Sequence, residues 1–219
     1  MMPAISLSNL VFCYAKGDFV LSCPSLDFPH GELRLIMGAN GSGKTTLSKL
    51  MCGILKPLQG DVRIFGKPSS ALSLGQIGSD VGYLFQNPAR QLFAGTVWRE
   101  MVFVDELLGR DLEASAQRAQ DLLERFGLGA LKERSIYNLS GGEKQRLALC
   151  TLLMGGAQFL ILDEPTVGLD RQNREILYTI IDDLLEEGRG LAVITHEKEL
   201  ISRYSNARKI KVERGQVLV

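Results

Sequence analysis

The chain has 219 residues, and its 25 Lys+Arg balance 25 Asp+Glu to a formal net charge of zero. With 45% hydrophobic and 23% charged residues, its composition excludes global disorder and supplies apolar area for one large domain or two small lobes. Zero net charge gives no long-range field toward nucleic acid or an anionic membrane surface, and no block of like charge is visible.

The longest apolar stretch, 147–162, is interrupted by Thr151, Gly155, Gly156 and Gln158, short of the roughly 20 apolar residues that a bilayer span needs. The start, MMPAISLSNL, lacks the basic and apolar regions of a secretory signal. Cys13, Cys23, Cys52 and Cys150 form no Cys-x-x-Cys pair and have no histidine nearby. Their spacing predicts reduced thiols rather than a zinc site.

In chain order, ISLSNLVFCY alternates like a strand, a polar Lys16-Gly17-Asp18 turn follows, and VLSCPSLDF reads as a second strand. An apolar strand at 33–38 runs into a glycine-rich loop, and 45–55 places Leu47, Leu50, Met51 and Ile54 at helical spacing. Segments 60–67 and 81–85 read as strands. From about 87 to 156 the texture turns helical. There, 111–126 carries Leu112, Ala116, Ala119, Leu122, Leu123 and Phe126 on one stripe, with Gly127 in C-cap position. The apolar run 159–162 predicts a strand buried on both faces. A helix over 171–187, a buried strand over 191–195 and a terminal hairpin complete the pattern. Buried strands alternating with helices predict an α/β domain with a mainly parallel sheet, a β-rich antiparallel start and an inserted helical lobe.

Three segments carry chemistry. Gly38-Ala39-Asn40-Gly41-Ser42-Gly43-Lys44-Thr45 matches G-x-x-x-x-G-K-[ST] between a strand and a helix. Its backbone N–H groups and helix N-terminus suit phosphate oxygens, Lys44 the β- and γ-phosphates, and the Thr45 hydroxyl Mg²⁺. Phe159-Leu160-Ile161-Leu162 then delivers Asp163 and Glu164 at a strand's carboxyl end, where open α/β sheets place ligands. Asp163 suits a Mg²⁺ role, and Glu164 a general base or water-orienting group. In Leu139-Ser140-Gly141-Gly142-Glu143-Lys144-Gln145-Arg146, Ser140 and Glu143 fit a capping box, while the two glycines leave N–H groups for an anion. The residues alone leave a cap and a second phosphate contact equally open.

Together these segments resemble the ATPase subunits of ATP-binding cassette (ABC) transporters, whose characteristic segment LSGGEKQR resembles. The remaining elements occur in order over about 5–219. Tyr14 matches the aromatic residue that stacks on adenine, although neighbouring Phe12 competes for that place. Gln86 ends a strand, Gly168-Leu169-Asp170 follows the Asp-Glu strand, and His196 follows LAVIT as the switch histidine does. His30 receives no role beyond a surface turn.

The resemblance implies a P-loop NTPase fold in one domain, 1–219, with a RecA-like core of about 1–86 and 157–219 and a helical lobe of about 87–156. It implies ATP and Mg²⁺ as cofactors. Tyr14, Asn40, Gly41, Ser42, Gly43, Lys44, Thr45 and Thr46 would bind ATP, with Thr45, Gln86 and Asp163 at Mg²⁺. Lys44, Gln86, Glu164 and His196 would act in catalysis. Two subunits would sandwich two ATP molecules, with Ser140, Gly141, Gly142 and Glu143 reaching the other subunit's nucleotide and Asp170 at the dimer contact. A complete set of both half-sites permits a homodimer.

The segment Phe85-Gln86-Asn87-Pro88-Ala89-Arg90-Gln91-Leu92-Phe93 resembles the energy-coupling factor (ECF) branch, which transports vitamins or cobalt. That branch pairs its ATPases with a transmembrane coupling protein and a small substrate-binding membrane protein, at the cytoplasmic face of the membrane. Nucleic acid is not an expected partner. The chain departs from the pattern at Ala89-Arg90, where acidic residues are common; Glu100, Asp105 and Glu106 are either substitutes or solvated helix charges. A conventional importer or exporter ATPase, or a soluble ABC-type switch, is the alternative.

Overall fold

The computed structural model describes residues 2–15, 19–107 and 109–218; the expected Lys16-Gly17-Asp18 turn and Val219 lie outside these. Strands are β1 (Ile5–Cys13), β2 (Val20–Phe28), β3 (Leu33–Met37), β4 (Gln59–Ile64), β5 (Lys67–Pro68), β6 (Val81–Leu84), β7 (Phe159–Asp163), β8 (Gly190–Ile194), β9 (Arg208–Glu213) and β10 (Gln216–Leu218). Helices are α1 (Lys44–Met51), α2 (Leu74–Asp80), α3 (Val97–Leu107), α4 (Leu112–Arg125), α5 (Gly141–Met154), α6 (Arg171–Glu186) and α7 (Lys198–Arg203).

Among the described residues the ten strands form one sheet in the order β5-β4-β1-β2-β10-β9-β3-β8-β7-β6. Strands β9, β3, β8, β7 and β6 run parallel, while β5, β4, β1 and β2 are antiparallel. The sequence expectation of a parallel core with an antiparallel β start therefore holds. The apolar strands form the middle of the sheet because both their faces are covered. Phe159 and Ile161 of β7 join Leu47, Leu50 and Met51 of α1 on one side, while Leu160 and Leu162 join the helices on the other. Side chains alternate faces at every residue, so a continuous apolar run is what a doubly covered strand requires. Each such burial stabilises by about 1.5–3 kcal/mol.

Helices α3, α4 and α5 lie between β6 and β7 in the chain and share the core of the helix-covered side through Met101, Leu123 and Leu147. Asp111 caps α4 by accepting from Glu113 and Ala114 N–H, and Gly127 leaves it in left-handed conformation at φ 67°. Two helical expectations shift. Helix α1 ends at Met51 because Gly53 takes φ 67°, so Ile54 lies beyond it and is exposed. On α4, Leu112 faces solvent and Ser115 is buried in the stripe instead. Its hydroxyl donates to Asp105, a polar contact that apolar periodicity does not register. His30 sits at the turn after β2, its ring 4.9 Å from that of Phe65.

Candidate active site

The glycine loop joins β3 to α1. Gly38 has no room for a side chain, since a Cβ there would collide with the Val212 carbonyl oxygen. Gly43 precedes α1 at φ 114°, a left-handed-side conformation that only glycine takes readily. Ser42 N–H donates to the Ala39 carbonyl at 3.1 Å, closing the loop. The N–H groups of Lys44, Thr45 and Thr46 open the helix and have no intrahelical acceptor, so they present a positive helix end. Lys44 Nζ donates to the Gly38 and Ala39 carbonyls at 2.8 and 3.0 Å. An ammonium has three hydrogens, so one remains.

Asp163 is the last residue of β7. Its Oδ2 accepts from the Thr45 hydroxyl at 3.2 Å and from the Tyr83 phenol at 3.0 Å. Burial pushes the Tyr83 phenol pKa well above its ordinary value, with the neighbouring Asp163 charge adding to that and a Ser48 hydrogen bond opposing it. Glu164 follows at φ 51°, a conformation costing a non-glycine residue about 1–3 kcal/mol. Its N–H donates to Ile194 O at 2.9 Å, and its Oε1 lies 2.8 Å from His196 Nδ1. Among the described residues, the buried Oε2 of Glu164 has no hydrogen-bond partner.

One cleft of about 440 Å³ is lined among others by Tyr14, Phe19, Lys44, Thr45, Gln86, Asp163 and Glu164, whereas Ser42 is not in its lining and His196 lines a neighbouring depression with Gly38 and Ala39. Strands β3, β7 and β6 deliver the phosphate loop, the acidic pair and Gln86 at their carboxyl ends; β8 does the same for His196. Tyr14 is 41% exposed and its hydroxyl is 3.1 Å from Thr46 Oγ1, whereas Phe12 is buried and packs edge-on against it at 4.9 Å. Tyr14 is thus the aromatic that faces the cleft. Phe19, which sequence reading missed, is a second aromatic in its wall.

Beyond Gln86 the chain is pinned twice. The Gln91 amide accepts from Phe85 N–H at 2.8 Å and donates to the Tyr83 carbonyl at 2.7 Å, supplying the free edge of β6 with bonds a further strand would make. Glu100 Oε2 accepts from Phe93 and Ala94 N–H at 2.9 and 2.7 Å. Glu100 and Asp105 are buried, so neither is a solvated charge nor a surface acid standing in for the missing acids. Asp105 pairs with Arg110 and Arg118, and Glu106 with Arg99. Burial pulls the Asp105 carboxyl up, but Ser115 and the two arginines outweigh it and hold the pKa below its ordinary value.

Ser140 completes a reciprocal capping box: Glu143 N–H donates to its hydroxyl, and Glu143 Oε2 accepts from its N–H at 2.7 Å. The Ser140 N–H bond holds the Glu143 carboxyl below its ordinary pKa. Gly142 is buried against Asn173, where a Cβ would collide with the amide. Asp170 caps α6, accepting Asn173 N–H at 2.8 Å, and that bond depresses its pKa. Gln145 donates to the Pro165 carbonyl, tying α5 to the segment after Glu164. Ser140, Gly142, Glu143 and Asp170 do not line the phosphate-loop cleft. Gly141 lies in a second cleft of about 380 Å³, shared with Gln86, Glu164 and Gly168.

The donors fit a magnesium ion. Thr45 hydroxyl and Asp163 carboxylate are already paired, Gln86 offers an amide oxygen in the same cleft, and all are the hard oxygen ligands Mg²⁺ takes beside phosphate oxygens.

A strand–glycine loop–helix phosphate site on a parallel sheet, with an acidic pair on the next-but-one strand, defines a P-loop NTPase. The family profile described as ABC transporter matches residues 21–167, and the chain belongs to that family as an ATPase. It is 37% identical to the energy-coupling factor transporter ATP-binding protein EcfA1 of Thermotoga maritima over 197 residues, covering 90% of this chain and 74% of that protein. The structure of cbiO1 from Clostridium perfringens, part of the ABC transporter complex cbiONQ, superposes with TM-score 0.88 at 29% identity, covering 99% of this chain and 87% of that one. The dimeric ATP-binding cassette MJ0796, bound to ADP and phosphate, superposes with TM-score 0.83 at 25% identity, covering 98% and 97%. Among the described residues no helix is long and apolar enough to cross a membrane.

Proposed function

We propose that this chain is the ATP-hydrolysing subunit of an ECF-type importer, dimerising around ATP at the cytoplasmic face of the membrane to power uptake of a vitamin or transition-metal ion. The observation that carries the reading is the convergence of Lys44, Thr45, Gln86, Asp163 and Glu164 on one cleft with Tyr14 at its side. The core spans about 1–86 and 157–219, and the helical lobe about 87–156.

ATP binds with its base on Tyr14 and its phosphates against the loop from Asn40 to Thr46. Lys44 and the open N–H groups stabilise charge that spreads over the γ-phosphate as its bond to the leaving oxygen loosens. Thr45, Asp163 and Gln86 hold Mg²⁺, which when bound neutralises phosphate charge. Glu164 orients the attacking water and takes its proton on Oε2, the oxygen without a partner. His196 holds the other oxygen. Ser140, Gly141, Gly142 and Glu143 serve the nucleotide of a second copy, with Asp170 at the contact; their absence from the lining of the phosphate-loop cleft of their own chain supports this. A homodimer then has two complete sites.

The ECF assignment is supported by Asn87-Pro88 and Gln91-Leu92-Phe93 and by the likeness to EcfA1 and cbiO1. Its partners are a transmembrane coupling protein and a small substrate-binding membrane protein. Phosphate release by the purified chain, with and without Glu164→Gln, tests the chemistry. The variant should bind ATP, dimerise and turn over at least roughly 100-fold more slowly; an unaltered rate removes Glu164 from the role. Co-purification from membranes, with identification of the small membrane protein, tests the branch.

A further inference from the structure

Strand β6 reads Val81-Gly82-Tyr83-Leu84 and is buried throughout, so its one phenol needs a partner. An unpaired buried hydroxyl costs about 1–3 kcal/mol. Alternation puts Tyr83 on the α1 side of the sheet with Val81, in the same core as Leu47 and Met51. Tyr83 is in register with Ile161 of β7, and Asp163 is two residues further along the same face. Its hydroxyl therefore reaches Asp163 Oδ2 at 3.0 Å, and Ser48 Oγ, on α1, lies 3.0 Å behind it. A carboxylate only accepts, so the single phenol hydrogen goes to Asp163. Ser48 has one hydroxyl hydrogen, which goes either to the phenol oxygen or to the Thr45 carbonyl, each 3.0 Å away. Oδ2 receives both Thr45 and Tyr83, while Oδ1 carries no bond among the described residues.

We infer that Tyr83 is a positioning residue for the metal site: with Thr45 it occupies Asp163 Oδ2 and turns Oδ1 toward a divalent cation. This rests on the proposed role of Asp163 at Mg²⁺. In this role Tyr83 need touch neither nucleotide nor metal: it acts by fixing the carboxylate's rotation, as outer partners of metal ligands generally do.

The test is binding of a fluorescent ATP analogue to the full chain, in EDTA and across a Mg²⁺ titration, for wild type, Tyr83→Phe, Ser48→Ala and Asp163→Asn. Thermal unfolding without nucleotide checks folding. Tyr83→Phe, which removes one oxygen, should leave affinity in EDTA unchanged and raise the Mg²⁺ needed for half-maximal enhancement about 10-fold or more. Ser48→Ala, which withdraws support from behind the phenol, should shift it the same way by less. Asp163→Asn should abolish the enhancement. If Asp163→Asn keeps its Mg²⁺ dependence, the metal assignment itself fails. If Asp163→Asn loses it while Tyr83→Phe and Ser48→Ala match wild type, the positioning role is overturned.

Discussion

Glu164 and His196 are 32 positions apart in sequence, yet Oε1 and Nδ1 lie 2.8 Å from one another. They meet because β7 and β8 are parallel neighbours in register from Phe159–Gly190 to Asp163–Ile194, so each strand releases its functional residue at the same edge. The left-handed turn at Glu164 brings its carboxyl back over β8, with its own N–H bonded to Ile194 O. One carboxylate oxygen is thereby held and the other left free.

This pair predicts how His196→Ala behaves. Losing the contact frees Glu164 to rotate, so kcat for ATP should fall roughly 100-fold while KM changes little. Steady-state phosphate release over an ATP titration gives both. A rise in KM with kcat intact would place His196 in nucleotide binding instead.

Ser140 separates a helix cap from a nucleotide contact. Ser140→Ala removes the cap hydroxyl of α5 and should cost about 1 kcal/mol in urea unfolding. Ser140→Thr keeps a hydroxyl and most of that stability. If Ser140 also contacts the nucleotide of a second copy, Ser140→Ala lowers ATPase activity at a temperature where it is fully folded, and the dependence of specific activity on protein concentration steepens. Equal activity at full folding leaves the cap alone.

Asp105 contributes to the acid dependence of the helical stretch. Its folded pKa is depressed, so its contribution is complete above the unfolded value of about 3.9 and is lost as pH falls through the lower folded value. Asp105→Asn should destabilise by about 1–3 kcal/mol at pH 7, and the difference from wild type should begin to shrink as pH falls below about 4 and vanish only below the folded pKa. Both arginines are partly exposed, at 40% and 50%, so salt should reduce the effect. Urea midpoints at several pH values measure it.

The thiols respond to burial. Burial pushes Cys23 up to about 11 and Cys52 up to about 12, and Cys150 further. The thiolate is the reactive form, so iodoacetamide at pH 8 should label Cys13 first in the native protein and all four cysteines in denaturant. Raised folded pKa values also mean that the stability these thiols contribute is complete below the unfolded pKa and declines as pH rises above about 9. Mass spectrometry of peptides resolves the order of labelling.

The phosphate loop, the acidic pair at the carboxyl end of β7 and the capping box at Ser140 were legible in the sequence because each is local. Their chemistry depends on residues adjacent in the chain and on the turn they force. Strand β7 was equally legible, since a short run of four apolar residues between Gln158 and the acidic pair fits a strand covered on both faces. Tyr83 left one signal, a phenol in a fully buried strand, but its partner Asp163 lies 80 positions away. The burial of Glu100, Asp105 and Ser115 left none, because a polar residue is tolerated inside only when its partners converge from other turns and elements. The choice of Tyr14 over Phe12 likewise waited on which ring the packing left exposed. The chain's own order thus set its local conformations and the residues able to handle phosphate; tertiary structure alone decided their partners, because pairing and desolvation are properties of neighbours brought together by folding.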